Sequence, residues 1–128
     1  MKFDLKMPIL GFEDILEVEF TEMDDILAKI TDINNEAISF TLINPYSLRE
    51  YSFDLPQAAQ IMLDLKEDSE LLVYNIIAVQ KPTDSSVVNF LAPIVFNKTN
   101  GTAAQVVLES EKYTNFGLAE QVGTFLAA

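Results

Sequence analysis

Apolar and polar positions alternate along several short stretches of the chain, which is the pattern of half-buried β-strands. The clearest stretch is 16–21, where every second residue is apolar and two of the polar residues between them are glutamates. The same alternation predicts further strands at residues 2–6, 37–43 and 51–55. The pattern therefore predicts a protein built mainly from short strands.

Two longer apolar stretches, 71–79 and 87–96, are rich in β-branched residues and predict buried strands. Pro93 predicts a bend or bulge in the second of them. The turn at 99–101 contains Asn followed by Gly, which tolerates positive φ, and predicts a hairpin into a strand at 105–108. Seven or eight short strands at this spacing predict an antiparallel barrel or sandwich.

Helical spacing of apolar residues occurs in three places. Residues 56–65 predict a short amphipathic helix that covers one opening of the sheet, and residues 118–126 predict a terminal helix interrupted by Gly123. Residues 24–33 are ambiguous. Their spacing leans towards a helix behind an Asp cap, but the turn-forming residues 32–35 also allow a strand within a hairpin.

The composition narrows the chemistry that the chain can perform. Its 128 residues, 49% of them hydrophobic, suffice for one core, so we expect one domain over residues 1–128. The absence of His, Cys and Trp from the sequence excludes disulfides, thiolate and imidazole metal ligands, Cys nucleophiles and His-dependent triads. The four glycines form neither a Walker loop nor a dinucleotide fingerprint, so no cofactor is expected.

The net charge bears on the kind of partner. Twenty acidic and eight basic residues give a formal charge of −12, which repels the phosphate backbone of nucleic acids and attracts basic proteins. We therefore expect a protein partner and no direct contact with nucleic acid.

The N-terminal residues do not resemble a secretory signal, and no apolar run is long enough to span a bilayer. We expect a cytoplasmic protein that makes no membrane contact.

The strongest charge feature is a run of seven carboxylates, without any basic residue, between positions 13 and 25. One interpretation is a solvated strand face that keeps a sheet edge from pairing. The other is a docking face for a basic partner. The candidate residues for that face are Glu17, Glu19, Glu22, Asp24 and Asp25.

A carboxylate-based hydrolase or a divalent-metal-binding protein is the alternative function, although no EF-hand pattern is present. Arg49, in a loop, is expected to pair with one of the many acids on the surface.

Five short motifs occur, one after another, along nearly the whole chain. They are Ile-Leu-Gly-Phe-Glu at 9–13, Leu-Ile-Asn-Pro-Tyr at 42–46, Tyr-Ser-Phe-Asp-Leu at 51–55, Asn-Phe-Leu-Ala-Pro-Ile-Val-Phe-Asn at 89–97 and Gln-Val-Val-Leu at 105–108. Together they resemble the FliW family of flagellar assembly factors.

The resemblance implies a mainly β fold, a small antiparallel β-barrel-like single domain with one or two short helices, and hence a strand within 24–33. It also implies a non-enzymatic regulator with two alternative partners: flagellin, and the RNA-binding translational repressor CsrA. Bound to CsrA, such a protein would prevent repression of flagellin mRNA, and cytoplasmic flagellin would compete it away.

Overall fold

The alternating stretches form strands in the computed structural model, which describes residues 1–126. Within that range there are nine strands and two short α-helices. The strands are β1 (Lys2–Met7), β2 (Glu17–Glu22), β3 (Leu27–Asp32), β4 (Asn35–Ile43), β5 (Leu71–Ala78), β6 (Val87–Val88), β7 (Ile94–Asn97), β8 (Thr102–Gln105) and β9 (Glu120–Gln121). The helices are α1 (Gln57–Met62) and α2 (Gly123–Leu126).

Seven of these strands form a closed barrel. Their order is β4-β3-β2-β1-β8-β7-β5, and pairing of β4 with β5 closes it, while β6 and β9 extend the sheet beside β5. Among the described strands of the barrel, neighbouring strands are antiparallel, except that β1 and β8 run parallel to each other. The predicted barrel-like, mainly β fold with one or two short helices is therefore confirmed, with one parallel pair.

Aromatic rings fill the interior of the barrel. Alternate residues of each strand face inward, which places Phe3, Phe20 and Phe96 together. The ring centroid of Phe96 lies 5.0 Å from that of Phe3 and 5.1 Å from that of Phe20, both edge to face. Tyr74 joins the cluster with its ring centroid 5.3 Å from that of Phe20. Because edge-to-face pairs add to the free energy of burial, this cluster stabilises the packing between opposite walls of the barrel.

Helix α1 packs against the outside of the barrel, so the prediction that it covers an opening is wrong. Its Ala59 and the following Leu63 contact a second apolar cluster that includes Val95 and Ala104, on the outer faces of β7 and β8. Every residue of these two strands is buried because the interior covers one face and the helix covers the other.

The turn between β7 and β8 holds the end of α1. Gly101 adopts a φ of +72°, which confirms the hairpin turn predicted at 99–101. The Nδ2 atoms of Asn97 and Asn100 donate hydrogen bonds of 2.9 and 2.8 Å to the Leu63 carbonyl oxygen just past the helix. The hairpin therefore fixes α1 on the barrel wall.

Residues 51–55 do not form the predicted strand. The segment is extended, and Tyr51 is buried, but the Asp54 N–H donates to the hydroxyl of Tyr113 at 2.8 Å instead of to a neighbouring strand. The alternation in the sequence correctly indicated a half-buried segment, but burial alone does not supply a strand partner.

The ambiguous segment 24–33 contains β3, so the hairpin alternative is confirmed and the helix is wrong. Asp24 begins a turn in place of a helix, because its Oδ1 accepts hydrogen bonds from the N–H groups of Ile26 and Leu27 at 2.8 and 2.7 Å.

Three boundaries also differ from the sequence predictions. The predicted strand at 87–96 is divided into β6 and β7, with Pro93 in the interruption; β8 occupies 102–105 in place of 105–108. The predicted terminal helix is shorter, since Gly123 begins α2 and β9 precedes it.

Candidate functional site: an acidic cleft at one end of the barrel

The structure divides the five predicted docking residues into two groups. Glu17 and Glu19 lie on the outer wall, because the intervening Val18 faces the barrel interior. Glu22, Asp24 and Asp25 lie at the turn between β2 and β3. Strand β2 is paired with β1 on one side and β3 on the other, so the interpretation of the acidic run as protection of a sheet edge is wrong.

Within the wall group, Glu19 is partly neutralised by nearby cations. The amino group of Met1 lies 2.7 Å from Glu19 Oε2, and Lys2 is directly opposite Glu19 in the sheet. A shallow groove of about 480 Å³ runs across the wall; Lys2, Glu19, Lys29, Asp32 and Glu36 are among its lining residues. The charge of this outer-wall groove is therefore mixed and not strongly negative.

The turn group lines a separate open cleft of about 450 Å³. Its lining residues are Glu22, Met23, Asp24, Asp25, Asn44, Leu72 and Tyr74. Within residues 1–126, no cationic group comes within 4.0 Å of a carboxylate oxygen of the three acids in this acidic cleft. The cleft combines uncompensated negative charge with an apolar and aromatic floor.

Two pKa shifts report the electrostatics of the acidic cleft. Hydrogen bonds from the backbone N–H groups of Leu27 and Ile26 lower the pKa of Asp24, so its carboxylate stays ionised at neutral pH. Burial raises the pKa of Tyr74, and the negative charges of Glu22 and Asp24 raise it further. The phenol of Tyr74 is therefore neutral and faces the carboxylates.

This arrangement suits a lysine or arginine side chain of another protein. Its lining places the apolar surfaces of Leu72 and Tyr74 beside carboxylates, and these are the two kinds of surface that the methylene stem and the charge of such a side chain can contact. Across the described part of the chain, no group of three or more Asp, Glu, His or Cys residues is placed to hold a metal ion.

No helix in residues 1–126 combines the length and apolar character needed to cross a membrane.

The sequence did not predict which residues Arg49 contacts in the fold. Its Nη1 lies 3.2 Å from Glu120 Oε2, and its Nη2 donates to the Asn115 carbonyl oxygen at 3.3 Å. The guanidinium also lies 5.0 to 5.3 Å from the centroids of three rings, those of Phe90, Phe116 and Phe125. Arg49 does pair with an acid, as expected, but the pair is partly buried and attaches the C-terminal segment, residues 113–126, to the barrel.

Comparisons with known proteins agree with the fold. The family model described as FliW protein matches residues 1–116. The chain is 46% identical to flagellar assembly factor FliW 2 of Wolinella succinogenes over 125 residues, covering 98% of this chain and 92% of that relative. It is also 46% identical to flagellar assembly factor FliW of Sulfurimonas denitrificans over 126 residues, covering 98% of both.

A solved structure shares the same fold. The crystal structure of the flagellar assembly factor FliW superposes with a TM-score of 0.85 at 24% sequence identity, covering 94% of this chain and 84% of that chain. The family match over residues 1–116 and the relatives at 46% identity place the chain in the FliW family of flagellar assembly factors.

Proposed function

We propose that this chain is a non-enzymatic cytoplasmic regulator that binds CsrA and, alternatively, flagellin. Its binding to CsrA relieves repression of flagellin mRNA translation, and flagellin displaces it from CsrA. Membership of a family of flagellar assembly factors supports the flagellar role. The observation that carries the choice of a basic partner is the uncompensated acidic cleft of Glu22, Asp24 and Asp25.

Electrostatics favours a protein such as CsrA as the occupant of this cleft. A protein that binds RNA presents Lys and Arg side chains to phosphates, and those same side chains are attracted to carboxylates. The net charge of −12 attracts a basic protein over about one Debye length, roughly 8 Å at physiological salt, and the cleft then supplies direct contacts. Glu19 contributes less, because it is already paired with the amino group of Met1.

Reversing two charges in the cleft is expected to weaken CsrA binding. The double variant Glu22→Lys with Asp25→Lys places two cations against the basic surface of the partner, and we expect the dissociation constant to rise by about tenfold or more. The dependence of affinity on salt should also become shallower, since fewer attractive contacts remain to be screened. Titration calorimetry at increasing salt measures both effects.

The matched control is Glu109→Lys with Glu111→Lys. These two exposed acids follow β8, and the substitutions change the net charge by the same amount. The control should weaken CsrA binding much less than the cleft variant. An equal loss of CsrA affinity in both variants would show that binding depends only on the overall charge of the chain. An affinity that is insensitive to salt and to all these substitutions would refute the docking face.

The exchange of partners has a direct test. With the chain immobilised and loaded with purified CsrA, adding purified flagellin should release CsrA in proportion to the flagellin that binds. Quantifying both proteins on the resin and in the supernatant measures the exchange. Retention of CsrA together with bound flagellin would contradict the proposed alternation between partners.

A further inference from the structure

Strand β4 has a strand partner along one side but along only a short part of the other. It pairs with β3 from Ser39 to Ile43 and again at Asn35, with an irregularity in the ladder between them. On the other side, among residues 1–126, only Leu42 and Ile43 pair with β5. Residues 35–41 therefore have a free edge, which we call the β4 edge.

The backbone groups that face this free side can be identified from the ladder. The Asn44 N–H donates to the Ile26 carbonyl oxygen at 2.8 Å, on the β3 side. Because successive residues of a strand point their backbone groups to opposite sides, the N–H groups of Ser39 and Thr41 point away from β3. The Ala37 N–H lies in the irregular part of the ladder and donates to Asn35 Oδ1 at 3.2 Å, so the available edge is centred on Ser39.

Apolar side chains remain accessible beside the β4 edge. Ile38 and Phe40 point towards the core but are only partly buried. Phe12, from the loop after β1, packs edge to face on Phe40 with a centroid distance of 4.9 Å and is 43% exposed. Free backbone groups and accessible apolar side chains therefore occur together, as peptide recognition by strand addition requires.

We propose that the β4 edge binds an extended segment of a partner polypeptide as an added strand. The segment has apolar side chains at alternate positions, which pack on Phe12 and Phe40, and Lys or Arg between them. Its charge follows from the surroundings: β4 carries Glu36, and Glu13 and Asp14 follow Phe12 directly, so these acids outnumber Lys29, which lies opposite Thr41 on β3. A second copy of the chain, itself carrying −12, is disfavoured as the occupant by the same argument.

This inference goes beyond the function proposed above and requires neither of its named partners. The acidic cleft lies beyond the Ile43 end of β4, whereas the free edge lies towards Asn35. The two surfaces can therefore be changed independently.

The first test uses a synthetic peptide of about eight residues that alternates valine with lysine and threonine. Fluorescence anisotropy should show saturable binding to the full chain. Ser39→Pro removes the central N–H from an edge where proline is tolerated, and should weaken binding by about tenfold. Ser39→Ala keeps the N–H and should bind as the unchanged protein does. Equal binding by both variants would overturn the proposal.

Amide hydrogen exchange on the unchanged protein gives a second test, which stands even if Ser39→Pro fails to fold. The peptide should slow exchange at Ser39 and Thr41 and leave Ile30, which is already between two paired strands, as it was. No added protection at Ser39 would refute strand addition. A dimer of the free chain in which Ser39 is already protected would assign the edge to a second copy.

A final control separates this surface from the acidic cleft. Glu22→Lys with Asp25→Lys should leave peptide binding within about twofold, since both charges lie outside the β4 edge. Loss of peptide binding in that variant would show that the peptide is held by general attraction and would overturn the proposal. Loss of CsrA binding with peptide binding retained would leave this inference intact.

Discussion

Replacement of Phe96 by alanine is expected to lower the free energy of unfolding by about 4 kcal/mol. The side chain is fully buried, and its ring meets those of Phe3 and Phe20 at 5.0 and 5.1 Å between centroids. These rings come from β7, β1 and β2, so the substitution opens a cavity where different parts of the barrel wall meet. Urea denaturation followed by circular dichroism measures the loss.

Two comparison variants test whether packing is the cause. Phe96→Leu keeps most of the volume and should cost less than half as much, about 1.5 kcal/mol. Phe12→Ala removes the same atoms from a ring that is 43% exposed, and should cost about 1 kcal/mol. Equal losses for Phe96→Ala and Phe12→Ala would contradict the assignment of the barrel interior as the main core.

Removal of the Arg49 charge is expected to loosen the C-terminal segment. Arg49→Met keeps an apolar side chain of similar reach but leaves Glu120, whose side chain is 26% exposed, without its cation. It also removes the guanidinium from the three rings that surround it. Because the pair is only partly buried, we expect a loss of about 2 kcal/mol in the free energy of unfolding.

Hydrogen exchange shows where that loss occurs. The N–H of Phe90 donates to the Gly117 carbonyl oxygen at 2.9 Å, and the N–H of Val122 donates to that of Ser86 at 2.8 Å. Both amides should exchange faster in Arg49→Met, while those inside the barrel change little. Unchanged exchange at Phe90 and Val122 would contradict the role assigned to Arg49.

Lys112→Met is the control for Arg49→Met. Lys112 pairs with Asp54 at 3.1 Å, but the two side chains are 55% and 87% exposed. Solvent screens such a pair, so its loss should change the free energy of unfolding by less than about 0.5 kcal/mol. A similar loss in both variants would mean that burial of the Arg49 pair makes no difference.

Local sequence patterns predict the strands better than their partners. Period-two alternation located β1, β2 and β4 because one face of each strand meets the barrel interior. Residues 51–55 alternate because Tyr51 and Phe53 pack into apolar clusters other than the barrel interior, yet the segment forms no strand. Which strands pair depends on residues far apart in the sequence, which local periodicity does not report.

The candidate site was predictable in part for the same physical reason. The acidic run is local, so the sequence located it, but the charges that neutralise part of it come from Met1 and from neighbouring strands. The floor of the acidic cleft comes from Leu72 and Tyr74 on β5. Arg49 and Glu120 are separated by 71 positions, and no motif connects them.

The parallel pairing of β1 with β8 affects how the chain folds as it is synthesised. β1 is synthesised before β2 and β8 and can pair with β2 early, but its other side finds its neighbour only when residues 102–105 have emerged. Until then the nascent chain is an open sheet whose Phe3 and Phe20 await the ring of Phe96. Barrel closure therefore waits for β8, and a truncated product that lacks β8 leaves one edge of β1 unpaired and open to pairing with another chain.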